Sequence, residues 1–342
     1  MSATVTAVVV SYADPAATAR AVESLVGQSH APVEVLVVDN ASGCGGAQAL
    51  APGAVASPAR ILRPGVNLGY TRAANLAARQ ARGEWLFFLN PDAFAASDCL
   101  ERLLAAVDGS DVALVGAQVL LADGRVNAGD NPINIAGVSW SGRYGRPREH
   151  GPARDTAAVS GAALLAGREA FLQAGGLCPH FFMYVDDSDL AWRMRLRGMR
   201  VRYCPRAVVV HDYEFEKGAH KWFYLERNRA WALVSNLRPS TLALLAPLLL
   251  ATEAAVLVRA ISQGWLIEKL RAWASLLRHS RELMRWRAAV QAGRNVSDYR
   301  VLSLFSGGIE TTLIDTRLPR WVNPCTERYR RLLLALLRVC GL

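Results

Sequence analysis

A chain of 342 residues, 52% of them hydrophobic, is long enough for one large α/β domain with an appendage or for two modest domains. Its mean hydropathy of +0.15 is high for a soluble protein but too low for a polytopic membrane protein. The net charge of +10 would ordinarily raise nucleic acid as a partner, but 15 Lys/Arg against 7 Asp/Glu fall between Ser240 and Leu342, a net of +8 that leaves +2 for the first 239 residues.

That excess lies in a region rich in Leu and Trp, a combination that speaks for a membrane surface and against nucleic acid. The cysteines (Cys44, Cys99, Cys178, Cys204, Cys325 and Cys340) are scattered, with no CxxC pair and no metal-site spacing, so a reducing cytosol is the simple reading. Met1–Thr6 runs into a strand-like segment without a charged and then apolar leader, and no secretory signal is expected.

In chain order, Val5–Val10 is a short β-branched run of the kind a buried parallel strand needs. Asp14-Pro15 supplies a cap and first-turn proline for a helix to about Gly27. Val33–Val38 is a second strand ending in Asp39. Thr71–Arg82 reads as a helix closed by Gly83, and Trp85–Leu89 as a strand ending in Asn90-Pro91-Asp92. Cys99–Val107 is helical and Val112–Val119 strand-like. Alternation of this kind predicts right-handed crossovers and a mainly parallel sheet. Ligands bind such sheets beyond the carboxyl ends of the strands, which makes Ser11-Tyr12, Asp39-Asn40 and Asn90-Pro91-Asp92 one candidate site.

Asp123–Asp155 is polar, Gly/Pro-rich and without periodicity, a long loop of the functional or mobile kind. Val159–Ala166 returns to strand character, Arg168–Ala174 to a short helix. Asp189–Arg197 is a helix closed by Gly198, followed by strand-like Met199–Tyr203 and Ala207–Val210, which ends at His211. From about Thr241 the character changes. Thr241–Val258 is apolar apart from Glu253 and about long enough to span a thin bilayer, although Pro247 and Glu253 count against a simple span. Ile261–Trp286 sets Trp265, Leu266, Leu270, Trp273, Leu277 and Met284 among Lys269, Arg278, Arg281 and Arg285 at near-helical spacing. Two readings stand: a headgroup interface, or helices packed on the domain or on a second subunit as a homo-oligomer.

The densest chemistry is Phe181–Arg193 (FFMYVDDSDLAWR). Three aspartates at a helix start, Asp186, Asp187 and Asp189, serve equally well as caps favoured by the helix dipole. Crowded carboxylates also raise one another's pKa, as a general base requires. Asn90-Pro91-Asp92 reads either as a turn or as a carboxylate holding a divalent cation against a diphosphate. A lone histidine such as His211 is more often packed than a ligand. The glycines of Ser42–Gly46 follow the second strand with spacing wrong for a dinucleotide fingerprint, and no phosphate loop of the ATPase kind is present.

The ordered set VVVSY, VLVVDNASG, NLGYTRAAN, GEWLFFLNPDA, VSGAALLA, FFMYVDDSDLAWRMRLRG and VVVHDY resembles family 2 glycosyltransferases, inverting enzymes of the GT-A fold, and within them the bacterial rhamnosyl- and galactofuranosyltransferases. The resemblance covers roughly Thr4–Arg238, including YLERNRAWALV. It implies an α/β GT-A domain at residues 1–238, with a mainly parallel mixed sheet, and a helical, basic amphipathic region at 239–342. Asp39 would accept a hydrogen bond from a pyrimidine base, with Ser11 and Tyr12 nearby, and Asn67, Gly69 and Asn75 would shape the donor pocket. Asp92 would bind Mg²⁺ or Mn²⁺ at the end of a DxD element in which Asn90 replaces the first acid, with His211 a second ligand. Asp187 matches the general base, Asp186 precedes it, and Asp189 would orient the base or the acceptor.

The implied activity is transfer of a sugar from a dTDP-rhamnose or UDP-hexose type donor to a glycan or lipid-linked glycan hydroxyl, in cell-surface polysaccharide synthesis. The implied place is the cytoplasm, peripheral at the inner face of the plasma membrane. Two rivals are a nucleotidyltransferase, for which VVVSYAD lacks a Gly-rich basic phosphate loop, and a non-catalytic membrane adaptor built on a transferase domain. Retention of Asp39, Asp92, Asp187 and His211 together argues against the second.

Overall fold

A computed structural model describes residues 3–40, 59–212, 218, 220–310 and 319–342. The glycine-rich Ser42–Gly46 lies outside them. The chain forms two compact units: Met1–Asn131 with Ser141–Met194 and Met199–Tyr213, and Pro132–Trp140 with Arg195–Gly198 and Glu214–Leu342.

The first unit begins with β1 (Val5–Ser11), α1 (Pro15–Val26), β2 (Glu34–Asp39), β3 (Ala59–Leu62), α2 (Gly69–Gln80) and β4 (Trp85–Leu89). Then come β5 (Ala93–Ala95), α3 (Cys99–Ala105), β6 (Val112–Leu120), β7 (Val126–Ala128), β8 (Asp130–Asn131), β9 (Arg154–Asp155) and β10 (Ala158–Val159). It closes with β11 (Ala163–Gly167), α4 (Arg168–Gln173), α5 (Asp186–Leu196) and β12 (Arg200–His211). The main sheet runs β3-β2-β1-β4-β11-β6-β12-β5. β1 pairs in parallel with β2 and β4, β2 with β3 and β6 with β12, while β11 enters antiparallel between β4 and β6. This is the expected mixed α/β sheet.

Every residue of β1 and β2 is buried, as strands covered on both faces require. On one face, Val5, Ala7, Val9, Val35 and Val37 join Leu25, Phe87, Leu100, Val115 and Leu165 in one core. The Asp14 side chain accepts from the Ala17 N–H at 2.8 Å and Pro15 opens α1, which ends before Gly27, in the predicted form.

Three elements differ from expectation. Val159–Ala166 is not one strand: β10 pairs with β8, and the chain breaks at Ser160-Gly161-Ala162 before β11 joins the main sheet. Conversely, Met199–Tyr203 and Ala207–Val210 are halves of one strand, β12, with an irregular register between Cys204 and Val208. Pro205 lies in that irregularity, where its missing N–H costs no ladder bond, and its carbonyl accepts from Gln118 at 2.7 Å. The long polar loop contains β7, β8 and β9, and Arg154 ties it together through Asp130 and Glu149, both at 2.7 Å.

The second unit contains α6 (His220–Asn236), α7 (Pro239–Ser262), α8 (Leu266–Arg278), α9 (Ser280–Ala292), α10 (Asp298–Leu302) and α11 (Pro319–Val339). The segment read as one pattern, Ile261–Trp286, is therefore divided among three helices, α8 and α9 meeting at His279. α6, which carries YLERNRAWALV, packs on α8 and α9. α7 is long and apolar enough to cross a membrane by length and composition. Its Glu253 is not alone: Lys269 of α8 lies 2.7 Å from it and 2.5 Å from Glu226 of α6, and Arg229 of α6 binds both acids. Trp273 completes the set with an N–H bond to Glu253 at 3.1 Å. Two cations and two anions thus neutralise one another where water is scarce. Lys269→Met, which leaves two acids facing one arginine, is expected to cost about 3–5 kcal/mol of stability, read as a lower denaturation midpoint in urea.

Candidate active site

The site is assembled at one edge of the first unit's sheet. Ser11 and Asp39, the last residues of β1 and β2, are register partners. Val9 of β1 lies opposite Leu89 of β4, so Asn90-Pro91-Asp92 leaves the sheet at the same edge. There β11 starts in the opposite direction, and the Asn90 N–H donates to the Ala162 carbonyl at 2.9 Å. Gly161, next before Ala162, donates its N–H to an Asp187 carboxylate oxygen at 2.9 Å. A side chain on Gly161 would meet the Asp187 Cβ at 3.2 Å, so the small residue permits this approach.

Asp187 is half-buried, and its second oxygen accepts from the Ser188 N–H at 2.6 Å and the Ser188 hydroxyl at 3.2 Å. Asp186 is buried. Burial first, then repulsion from Asp187, pushes the Asp186 carboxyl from 3.8 up to about 8. Burial also raises Asp187, but the bonds from Gly161 and Ser188 act against it. The bonds from Gly161 and Ser188 favour the ionised form of Asp187, and nothing comparable holds Asp186. Tyr70 lies close by. Burial, Asp186 and Asp187 together hold its phenol above the ordinary value, and its O–H points at the Gly161 carbonyl, 3.5 Å away.

Asp189 is placed differently from its two neighbours. It is fully buried and paired with Arg193 at 2.8 Å, one helical turn on. Arg193 also donates to the carbonyls of Ala174 and Gly176 at 2.7 and 2.8 Å. The first turn of α5 is thereby tied to the loop after α4. The approach to that turn, Phe181–Val185, holds three non-glycine residues in the left-handed region: Phe182 (φ 67°), Tyr184 (φ 66°) and Val185 (φ 64°). Phe182 lies on Gly69, itself at φ 72°, where an added Cβ would come within 2.4 Å of the ring. The Phe182 carbonyl accepts from the Thr71 N–H, and the Val185 carbonyl from the Asp189 N–H.

At the ends of β1 and β2, Asp39 is buried with the Arg63 guanidinium 3.6 Å from its carboxylate, and Tyr12 is exposed. Ser11 is buried, its hydroxyl 2.8 Å from that of Thr18. The Asn67 side-chain oxygen accepts from the Asn40 amide at 3.0 Å and the Gly69 N–H at 2.8 Å, which shapes the turn into α2. Asn75 bonds the Leu177 backbone in both directions, at 2.7 and 2.8 Å, and so acts on the loop after α4. Asp92 and His211, 119 residues apart in sequence, meet at 3.0 Å between carboxylate and Nε2, with the Asn90 amide 3.4 Å from the same nitrogen. An oxygen and an imidazole nitrogen at one point form a donor set that suits Mn²⁺ and tolerates Mg²⁺. Among the described residues no third carboxylate, His or Cys joins them.

The sequence pattern described as Glycosyl transferase family 2 matches residues 6–175. Over 237 residues, 62% of this chain and 76% of the relative, the sequence is 30% identical to the N-acetylglucosaminyl-diphospho-decaprenol L-rhamnosyltransferase of Mycobacterium tuberculosis strain H37Rv. The chain is a family 2 glycosyltransferase. The O-antigen biosynthesis protein RfbC of Myxococcus xanthus is 28% identical over 151 residues, which are 42% of this glycosyltransferase and 12% of that protein. The crystal structure of GalNAc-T7 with UDP, GalNAc and Mn²⁺ superposes with a TM-score of 0.53 at 14% identity, over 68% of this chain and 48% of that one, and shows the shared GT-A fold.

Gly161 and Tyr70 were not singled out by sequence, although each lies inside a quoted motif; only the fold shows what they touch. The Asp186–Asp187 pair also makes the glycosyltransferase sensitive to pH. Between about pH 3.8 and 8 the folded protein retains an Asp186 proton that an unfolded chain has released, so this residue lowers stability as pH rises through that window. Asp186→Asn is expected to flatten that slope and to raise the melting temperature at pH 8 more than at pH 5, checked by thermal melts across pH.

Proposed function

We propose that this glycosyltransferase moves a sugar, with inversion, from a dTDP-rhamnose or UDP-hexose type donor to a hydroxyl of a glycan or lipid-linked glycan in cell-surface polysaccharide synthesis. The observation that carries this reading is the half-buried Asp187 carboxylate at the carboxyl edge of the sheet, held by the Gly161 N–H beside the buried Asp186. The similar mycobacterial protein is named for rhamnosyl transfer to N-acetylglucosaminyl-diphospho-decaprenol, a lipid-linked acceptor.

In this mechanism Asp187 accepts the proton of the acceptor hydroxyl as its oxygen bonds to the anomeric carbon. The bond from that carbon to the diphosphate breaks, its electron pair leaves with the nucleoside diphosphate, and one displacement inverts the centre. Asp186, kept neutral, adds no second charge to repel the first. Asp189 serves as a positioning residue: through Arg193 it fixes the turn that carries the base. Asp39 accepts a hydrogen bond from the pyrimidine, with Ser11 and Tyr12 beside it, and Asn67, Gly69 and Asn75 shape the donor side. Asp92 and His211, with the Asn90 amide, would hold Mg²⁺ or Mn²⁺, which supplies positive charge to the diphosphate. The enzyme would work in the cytoplasm at the inner face of the plasma membrane.

Asp187→Asn is expected to lower turnover by about 10²–10⁴-fold while nucleotide-sugar binding survives; near-full turnover in this variant would sink the assignment. A thermal-shift screen of UDP-, dTDP- and GDP-sugars, each with and without Mn²⁺, is expected to show the largest shift for a uracil or thymine donor with metal. Asp92→Asn is expected to remove the metal-dependent part of that shift and leave the rest.

A further inference from the structure

α8 and α9 each turn one face inward within the second unit. Trp265 just before α8, Lys269 and Ala272 on it, and Leu283 and Val290 on α9 are buried. Trp265 stacks on Trp222 at 4.7 Å between ring centroids, and Trp273 is bonded to Glu253. The side chains that looked suited to flank a headgroup layer, the two tryptophans and Lys269, are therefore engaged inside the unit.

The opposite face has a different composition. Leu270, Leu277 and Met284 are exposed, Leu277 by 78%. Arg278, Arg281 and Arg285 stand exposed among them and enter no ion pair among the described residues. On α8, Leu270 and Leu277 are seven residues apart and lie on the side away from Lys269 and Ala272; on α9, Arg281, Met284 and Arg285 lie on the side away from Leu283 and Val290.

Building on the membrane-linked acceptor proposed above, we propose that this face of α8 and α9 docks on an anionic phospholipid surface. Each helix has 13 residues and is about 20 Å long, short of the ~30 Å hydrocarbon layer, so the pair lies in the interface plane and does not cross it. The apolar side chains enter the acyl boundary and the arginines meet lipid phosphates. A second copy of this chain fits the same face poorly. A two-fold contact sets the patch against itself, and three unpaired arginines would then oppose three more.

The test is co-sedimentation of the full chain with phosphatidylcholine vesicles, with and without one-third phosphatidylglycerol, at low and high salt. Binding is expected to be stronger with the anionic lipid, and that gain is expected to weaken with salt. The variant with Arg278→Gln, Arg281→Gln and Arg285→Gln is expected to partition roughly 100-fold more weakly, about five-fold per arginine, with an unchanged thermal melt. Leu277→Gln with Met284→Gln is expected to weaken binding while its salt dependence remains. Wild-type partitioning in the arginine variant, indifference to phosphatidylglycerol, or loss of a dimer by sedimentation velocity in place of loss of vesicle binding would each overturn the proposal. Transfer to a short soluble acceptor, unchanged in these variants, reports separately on the catalytic reading.

Discussion

The hydrogen bond from the Gly161 N–H to the Asp187 carboxylate joins two parts of the first unit that the strand ladders alone would leave independent. One part is the carboxyl edge of the sheet, where Asn90 is bonded to Ala162. The other is the first turn of α5. The bond exists because the chain breaks between β10 and β11, which frees the Gly161 N–H from a ladder, and because glycine lets the acid approach. Much else follows from that contact. With Asp187 fixed against Gly161, Asp186 is left buried beside it and keeps its proton, and Tyr70 faces the carbonyl of the same peptide.

Both units place charge where solvent is scarce, and both do so in matched sets. Asp189 and Arg193 bind each other, and Arg193 also donates to two backbone carbonyls, so the arginine's donors are used as well as its charge. In the second unit Glu226, Arg229, Glu253 and Lys269 link α6, α7 and α8. Such sets are neutral stability at best against apolar packing, but they fix geometry, since a shifted partner leaves a charge uncompensated. In one unit the geometry so fixed is the turn that bears Asp187. In the other it is the seating of an apolar helix.

How far the sequence could be read follows from how local each signal is. β1, β2 and β4 were legible because their apolar runs are short and bounded, and α1 because Asp14, Pro15 and Gly27 mark its ends within a few residues. β3 (ARIL) and β5 (AFA) are too short to show a pattern and exist because a neighbouring strand pairs with them. The break at Gly161 was invisible, since an apolar run looks the same whether it stays in one sheet or passes between two. Pro205 misled in the other direction, by dividing a strand that tolerates it at an irregular register. At the site, the aspartates were found through ordered motifs. What distinguishes them from one another, two beside Gly161 and Tyr70 and one held by Arg193, depends on partners remote in the chain. Trp265, Trp273 and Lys269 had the composition of an interface, but Trp222 and Glu253 decide which way they face.

The left-handed backbone at Phe182, Tyr184 and Val185 bears on engineering. Each such residue costs about 1–2 kcal/mol relative to right-handed conformations, a cost that glycine largely escapes. A search for more thermostable versions of this chain should therefore find glycine rewarded at these three positions. The same replacements would remove the ring that lies on Gly69 and loosen the approach to Asp187. In this segment a gain in stability would come at the expense of the packing that shapes the approach to Asp187.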